Sequence, residues 1–495
     1  MIINFNQIQY NNVRSLKGPA TQTVNQLTFN SNLAGSNSVF FAIKGENHDG
    51  HMYIEDAIQK GAIAIFAENE DVVQTLAHAY PFCTFLLVDD VRKSMAYFSK
   101  QYYDSPDEKI KTVGVTGTNG KTTVAAYVRS LLSLLGMSSG SIGTTGIWSS
   151  TKRIPYKKST PTTPEALDLH RIFKDLYDLG DQAVAMEVSS IALDQKRVEG
   201  IEFDVAIHTN ISPEHLEYHH TFENYRMCKE KLFQQAKNAV INVDDEMGRK
   251  LVNTYKHRKV TYSLDANAEA DLIATNLQYA GNGTSFKLHS HGEIHDVFVP
   301  VFGDYNVANV LSAIGTSLLL GYTMPFIIKS LTKLESPEGR FQVIDGPSRE
   351  TIILDYAHTP VALTRLVDEV KKMEHNRLIV MIAGIGIRDF EKMPKMAKAI
   401  EGRADEIIVT VDHPGFHEPS IIVDKVMSGF ANPDAPHIHR TNTRREGVLK
   451  SLHLGAEHDI ILLTSGCING AQIVKGTEIP HSDEDIIQMY YHLSS

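Results

Sequence analysis

The sequence predicts an α/β protein of several domains, and three observations carry that prediction. An apolar run, Ile110 to Val115, enters the turn Gly114-Val-Thr-Gly-Thr-Asn-Gly-Lys-Thr-Thr123 and hands over to a helical stretch that stops at Gly136. Near the C-terminus four apolar runs, Thr351 to Leu354, Arg377 to Ala383, Glu406 to Val411 and Asp459 to Thr464, alternate with helical stretches. That alternation is the pattern of a mostly parallel sheet with helices on its faces. The length, 495 residues, implies about three domains, because single cores seldom grow past about 250 to 300 residues.

The formal net charge is -11 and the pI about 6.1. This balance argues against general affinity for nucleic acid or acidic membranes, so an anionic substrate needs a locally basic pocket. Three cysteines, Cys83, Cys228 and Cys467, show no metal-ligand spacing and fit a reducing compartment. The start MIINFNQIQYNN lacks a basic region followed by an apolar core, and no apolar run reaches membrane-spanning length. A cytoplasmic protein without membrane insertion is the expectation, with a monomer as the default.

Residues 1 to 108 read as a small α/β unit: a strand at Val39 to Ile43, a polar turn around His48-Asp49-Gly50, then helix and strand through Ala57 to Ala67. Ser31 lies in a second polar break. Such positions are usually solvated turns.

Asp104-Ser-Pro-Asp107 reads as a linker to a second unit, which runs to about residue 337 and opens with the glycine turn. Gly117 and Gly120 let the backbone bend around an anion, Lys121 supplies positive charge, and the Thr122 hydroxyl can ligate Mg2+. The match to a phosphate loop is partial, since Val115 stands where the strict fingerprint has glycine. The helix that follows, Thr122 to Leu135, places Val124, Tyr127, Val128, Leu131 and Leu135 on one face. The prolines of Ser159-Thr-Pro-Thr-Thr-Pro164 hold several hydroxyls in an extended loop. Apolar runs at Ala183 to Met186 and Val205 to Thr209 read as strands ending in Glu187-Val-Ser-Ser190 and Asn210-Ile-Ser-Pro-Glu-His215. In a parallel sheet those ends line the ligand crevice, where Glu187 and His215 are candidates for holding Mg2+; a loop carboxylate and a capping histidine are the alternatives. Lys229, amid Arg226, Glu230 and Lys231, reads as one more charge on a solvated helix face.

The third unit begins near Pro337-Glu-Gly-Arg340. Its strands place Asp355, Gly384 to Asp389, Asp412 to Gly415 and Ser465 to Asn469 in loops facing one crevice. Asp412-His-Pro-Gly415 serves equally well as a plain turn.

At Thr116-Gly-Thr-Asn-Gly-Lys-Thr-Thr123, Glu187-Val-Ser-Ser190, Asp355-Tyr-Ala-His-Thr-Pro360 and Gln472-Ile-Val-Lys-Gly476, the chain resembles the Mur ligases, in particular the MurE-like UDP-N-acetylmuramyl-tripeptide synthetases. The resemblance covers nearly the whole chain. It implies a three-domain Mur ligase architecture: an N-terminal UDP-binding domain (1–108), a central P-loop ATPase-like domain that binds ATP (109–337) and a C-terminal Rossmann-like domain that binds the amino acid (338–495). It further implies an ATP-dependent ligase of peptidoglycan precursor synthesis, acting on UDP-N-acetylmuramoyl-L-alanyl-D-glutamate, ATP and a free amino acid, with Mg2+ as cofactor.

Carried onto this chain, the resemblance implies that Ser31 and the loop of His48 meet the uridine end. Thr162, Thr163, Ser189, Gln195 and Arg197 match positions holding the UDP-muramyl dipeptide. Gly117, Thr118, Asn119, Gly120, Lys121, Thr122 and Thr123 match the ATP loop, and Asn306, Asn309, Arg340, Asp355 and His358 fall in motifs around the nucleotide and the interdomain crevice. Glu187 and His215 match Mg2+ positions, and Lys229 matches a carbamylated lysine, a reading that reverses the solvated-face expectation. Arg388 matches a loop that grips an α-carboxylate.

The amino-acid pocket departs from the family. Where Asp-Asn-Pro-Arg or Asp-Asn-Pro-Ala is usual, this chain has Asp412-His413-Pro414-Gly415, and Asn469 stands where an acidic residue holds an amino group. A pocket without those charges selects poorly for the charged far end of diaminopimelate or lysine. An atypical acceptor is therefore expected. Two other readings remain: a ligase acting on another γ-glutamyl carboxylate, and a catalytically inactive sensor of UDP-muramyl peptide.

Overall fold

The computed structural model describes residues 1–8, 12–45, 48–156, 162–280, 283–337, 339–387, 389–466 and 470–494. The chain divides into two compact units, Met1–Tyr262 with Gly315–Tyr322, and Ser263–Ile314 with Thr323–Ser495.

The first unit begins with a five-stranded sheet in the order Val13–Lys17, Thr84–Val88, Ala62–Ala67, Ser38–Phe41, Gln26–Thr28, parallel except at the Val13–Lys17 edge. Helix α1 (Val91–Tyr102) covers it. Its entry is fixed by Asp90, whose carboxylate accepts the Lys93 amide proton at 2.8 Å. Phe98 packs against Phe66 at 5.2 Å, and Phe66 against Phe41 at 4.9 Å. Ala166 and Leu167 join the same apolar cluster, so α1 serves two domains.

The central sheet is built around β1 (Lys111–Thr116), followed by α2 (Lys121–Leu134). Strands β2 (Ser139–Gly143), β3 (Ala183–Glu187), β4 (Val205–His208), β5 (Asn238–Asn242) and β6 (Arg258–Ser263) complete its parallel part in the order β2-β3-β1-β4-β5-β6. A central strand buried on both faces reads as an unbroken apolar run, and Thr112 to Thr116 are all buried. The five apolar side chains expected on one face of α2 are at most 5% exposed, and such burial contributes about 1.5–3 kcal/mol per large side chain. Gly136 ends the helix with φ +90°, its amide bonded to the Ser133 carbonyl at 3.0 Å.

The second unit holds a six-stranded sheet. Strands β7 (Thr351–Asp355), β8 (Leu378–Ile385), β9 (Glu406–Asp412) and β10 (Ile460–Thr464) lie within two residues of the sequence expectation, in the order Gln342–Asp345, β7, β10, β8, β9, Ile438–Arg440. Only the Gln342–Asp345 edge runs antiparallel. Features unread in the sequence include the edge strands Gln342–Asp345 and Ile438–Arg440, the antiparallel strands Leu272–Ala280, Gly283–Ser290 and Glu293–Val299, and the hairpin Ala471–Val474/Thr477–Pro480.

Beneath α1, Lys100 Nζ meets Asp107 Oδ2 at 2.8 Å, and His170 Nδ1 lies 3.7 Å from Asp107 Oδ1. Among the described residues neither ring nitrogen of the fully buried His170 has a hydrogen-bond partner. Burial first, then the Lys100 charge, pushes the imidazole down from 6.5 to about 3, so the 3.7 Å approach is not an ion pair at neutral pH. Between those values the unfolded chain binds a proton that the folded chain refuses, so this contribution to stability is complete above pH 6.5 and is lost as pH falls toward 3. Thermal melts across that window should show a shallower loss of stability for His170→Leu than for the parent chain. An unchanged slope would place the acid sensitivity elsewhere.

Candidate active site

The glycine turn lies at the C-terminal end of β1, the middle strand of the parallel sheet. Gly117 has φ +149°, and a Cβ there would stand 1.9 Å from Thr209 Oγ1. The following loop rests on the end of β4: the Thr118 amide bonds the Asn210 carbonyl at 2.8 Å, the Asn119 amide bonds Asn210 Oδ1 at 3.0 Å, and Thr209 Oγ1 donates to the Asn119 carbonyl at 2.6 Å. Gly120, with φ +85°, admits the chain to α2, whose first residue is Lys121. Thr122 and Thr123 are buried on its first turn.

Two ammonium groups converge on this loop. Lys121 Nζ donates to the carbonyls of Gly117 and Thr118, both at 2.9 Å, while Lys229 Nζ donates to the same Gly117 carbonyl at 2.7 Å. Lys229 sits at the end of α3 (Phe222–Glu230) and is 2% exposed. The solvated-face reading is therefore wrong. Arg226, on the same helix, has a largely covered side chain and pairs with Glu223 and Glu230. Burial, with the Lys121 charge adding to it, holds the Lys229 amine well below its ordinary range. Its Nζ stands 4.6 Å from the centroid of the Tyr225 ring, and the Tyr225 hydroxyl shares a 3.0 Å hydrogen bond with Thr118 Oγ1.

Glu187 ends β3 beside Val115 of β1 and is 1% exposed. Its carboxylate accepts from the Thr144 amide at 2.6 Å and the Thr144 hydroxyl at 3.3 Å. A Cβ on Gly143 would lie 2.2 Å from Glu187 Oε1, so glycine is what lets the carboxylate lie against β2. His215 adopts φ +54°, its side chain is half exposed, and Nδ1 faces Glu217 at 3.4 Å. Among the described residues no three His, Cys, Asp or Glu side chains form a metal-type cluster. The Thr122 hydroxyl and the Glu187 carboxylate are hard oxygen donors of the kind Mg2+ takes.

The residues matched to the dipeptide substrate form one network. Thr163 Oγ1 donates to the Glu187 carbonyl at 3.0 Å and accepts the Ser189 amide proton at 3.1 Å. Arg197 donates to the Thr163 carbonyl at 3.0 Å and to Gln195 Oε1 at 2.7 Å, and Gln195 Nε2 reaches the Tyr218 hydroxyl at 3.4 Å. Thr162 is half-buried beside them. Residues 159–161 of the hydroxyl-rich loop lie outside the described residues. Ser31 is buried in the turn Ser31–Leu33, whereas His48 is exposed and its carbonyl accepts the Gly45 amide proton at 2.8 Å. Sequence reasoning put Thr209 and Asn210 at a strand end without giving them a role, and missed Thr144, Tyr218 and Tyr225. Thr144 follows the end of β2, whereas Tyr218 and Tyr225 lie on the helices Leu216–His219 and α3, where no local signal marks them.

In the second unit Asn306 is buried and bonds the Phe302 carbonyl at 2.8 Å, and Asn309 donates to Asn306 at 3.3 Å. Asp355 accepts the amide protons of Phe341 and Ala357, each at 2.8 Å, and burial raises its carboxyl against the opposing pull of Arg340. The Arg340 guanidinium lies over the Tyr356 ring at 4.8 Å, and His358 bonds the Tyr356 carbonyl at 3.0 Å. The Asp412 to Gly415 loop is pinned to the hairpin: Gln472 Nε2 donates to Asp412 at 2.7 Å, the Ile473 amide to His413 Nδ1 at 3.0 Å, and the Gly415 amide to the Ile473 carbonyl at 3.0 Å. His413 and Gly415 have φ +43° and +61°. Arg388 and Asn469 lie outside the described residues.

A glycine loop at the head of a central parallel strand, with buried lysine and carboxylate beside it, defines an α/β enzyme of the phosphate-binding class. Family models match the chain three times: the Mur ligase family catalytic domain at residues 23–103, the Mur ligase middle domain at 115–317, and the Mur ligase glutamate ligase domain at 339–467. It is 34% identical to UDP-N-acetylmuramoyl-L-alanyl-D-glutamate--2,6-diaminopimelate ligase 2 of Clostridium acetobutylicum, over 95% of this chain and 96% of that one. It is 33% identical to the corresponding ligase of Clostridioides difficile, over 97% of each. A solved structure of such a diaminopimelate ligase superposes with a TM-score of 0.72 at 27% identity, covering 100% of this chain and 99% of that one. The chain belongs to the Mur ligase family, whose members form amide bonds at the expense of ATP, and has its three-domain architecture. Among the described residues no helix is long and apolar enough to cross a membrane.

Gly143→Ala tests the placement of Glu187, because the added methyl must displace the carboxylate. It should cost about 1–3 kcal/mol of stability and lower turnover more than about tenfold. Gly136→Ala is the control, since nothing lies within 4 Å of its Cβ. Its strain should cost about 1 kcal/mol with turnover kept. Equal turnover in the two variants would detach Glu187 from the reaction.

Proposed function

We propose that this chain joins an amino acid to the D-glutamyl γ-carboxylate of UDP-N-acetylmuramoyl-L-alanyl-D-glutamate, using ATP, in the cytoplasmic synthesis of peptidoglycan precursor. The convergence of Lys121 and Lys229 on the Gly117 carbonyl is the observation that carries the reading. The names of the relatives supply the substrate.

A carboxylate does not react with an amine directly, because oxide is too poor a leaving group. In the proposed reaction the γ-carboxylate oxygen attacks the γ-phosphorus of ATP, the bond to the bridging oxygen breaks, and an acyl phosphate and ADP result. The amine then adds to the acyl carbon, phosphate departs, and the nitrogen loses a proton. The amides of residues 120–123 at the start of α2 and Lys121 offset the crowding of two anions. Thr163, Ser189, Gln195 and Arg197 hold the dipeptide so that its carboxylate faces the nucleotide. Ser31 and the loop of His48 hold the uridine end, and Asn306, Arg340 and Asp355 belong to the nucleotide motifs.

The low basicity of Lys229 supports the carbamate reading, since a neutral amine adds CO2 with loss of a proton and becomes an anion. Thr122, Glu187, His215 and the carbamate of Lys229 would hold Mg2+, which supplies positive charge for the phosphates. Asp412, His413, Gly415, Arg388 and Asn469 are assigned to the acceptor. The relatives are named for diaminopimelate. Gly415 and the engagement of Asp412 with Gln472 favour an acceptor of smaller or less charged far end.

The test is ADP release with UDP-N-acetylmuramoyl-L-alanyl-D-glutamate, ATP, Mg2+ and bicarbonate, scanned over the standard amino acids and meso-diaminopimelate. Release that depends on one amino acid and yields a UDP-tripeptide is expected, and Lys121→Ala should lower it by more than about a hundredfold. Binding of the UDP-dipeptide without release in any arm would favour a sensor.

A further inference from the structure

The turn that carries Gln195 and Arg197 is docked on helix α1 of the N-terminal domain by a row of charges. Asp90, at the start of α1, pairs with Lys196. Lys93 approaches Glu199 at 3.9 Å, and Lys100 Nζ donates to the Gly200 carbonyl at 2.9 Å. Between these contacts sits Glu165, whose carboxylate is 8% exposed and bridges two arginines. Its Oε2 is 3.3 Å from Arg92 of α1, and its Oε1 is 3.1 Å from Arg197 Nε.

The Arg197 contact is an ion pair rather than an aligned hydrogen bond, because the Nε proton is not directed at the oxygen. Glu165 therefore acts on Arg197 mainly through charge. Burial lowers the Arg197 guanidinium below its ordinary value, Glu165 opposes that shift, and Arg92 adds to it. The two arginines repel one another, and the single negative charge of Glu165 lies between them and offsets part of that repulsion.

We propose that Glu165 is a positioning residue for the dipeptide substrate: by screening Arg92 from Arg197 it holds Arg197 and Gln195 in place and ties that side of the pocket to the N-terminal domain. This rests on the reading of Arg197 as a substrate contact. In Glu165→Gln the carboxylate charge disappears while shape is kept, and Arg92 is left facing Arg197 unscreened. Removing the second charge, as in the double variant Glu165→Gln with Arg92→Gln, relieves that repulsion. A merely structural hub would lose further from the second change.

The experiment is steady-state kinetics of the full chain, varying UDP-dipeptide and ATP separately, for Glu165→Gln, Arg92→Gln, the double variant and Arg197→Ala, with melting temperatures alongside. Glu165→Gln should raise KM for the UDP-dipeptide by about tenfold or more, with kcat and the KM for ATP changed less than about threefold. The double variant should recover part of that loss, and it serves alone against the parent if the single variant does not fold. A rise in UDP-dipeptide KM for Arg197→Ala without one for Glu165→Gln overturns the proposal, as does a double variant worse than the single. An unchanged UDP-dipeptide KM in Arg197→Ala overturns the assignment of Arg197 itself.

Discussion

One backbone carbonyl receives two lysines, and the rest of the central domain is arranged so that this can happen. Gly117 must have no side chain, because Thr209 occupies the space a Cβ would take. Thr209 and Asn210 hold the loop against the end of β4. The residue next along, Thr118, reaches the hydroxyl of Tyr225, whose ring lies under Lys229. An unmodified ammonium at Lys229 sits in poor surroundings: it is buried, has another cation near it, and meets the Gly117 carbonyl and the Tyr225 ring rather than a carboxylate hydrogen bond among the described residues. Deprotonation relieves that penalty, and conversion to an anion would turn a repulsion into an attraction. A buried lysine at a phosphate loop is costly to hold for packing alone.

The neighbouring carboxylate shows the same economy of support. Glu187 is positioned by its strand register with β1, by the open face of Gly143, and by both donors of Thr144. Its own carbonyl accepts from Thr163, which also receives the Ser189 amide. The proposed nucleotide side and the proposed dipeptide side of the central domain thus meet within one residue. Displacement of either would be felt by the other.

Local signals carried much of this. The apolar run of β1, the glycines around Lys121 and the terminator Gly136 are visible because strand, turn and helix each depend on nearby residues. Strands β7 to β10, the four inner strands of the six-stranded C-terminal sheet, were legible for the same reason. Lys229 was not, since its three charged neighbours hide which face of α3 meets the loop, and only tertiary packing decides that. Glu165 and Tyr218 look like ordinary surface polar residues until strands and helices far apart in sequence converge. The three antiparallel strands of Leu272–Val299 were overlooked because their alternation is interrupted, with a bulge between Thr275 and Gln278. At the acceptor loop the sequence left turn and function open. The structure shows Asp412 and His413 tied to the hairpin, a role that spacing alone could not reveal.

The acyl phosphate is the central chemical claim, and transfer of oxygen tests it most directly. UDP-N-acetylmuramoyl-L-alanyl-D-glutamate carrying heavy oxygen in its γ-carboxylate would be turned over with ATP and the accepted amino acid, and the released phosphate analysed by mass spectrometry. One labelled oxygen should appear in phosphate for each amide formed, because the carboxylate oxygen becomes the bridge that leaves. Unlabelled phosphate alongside full amide formation would contradict the account.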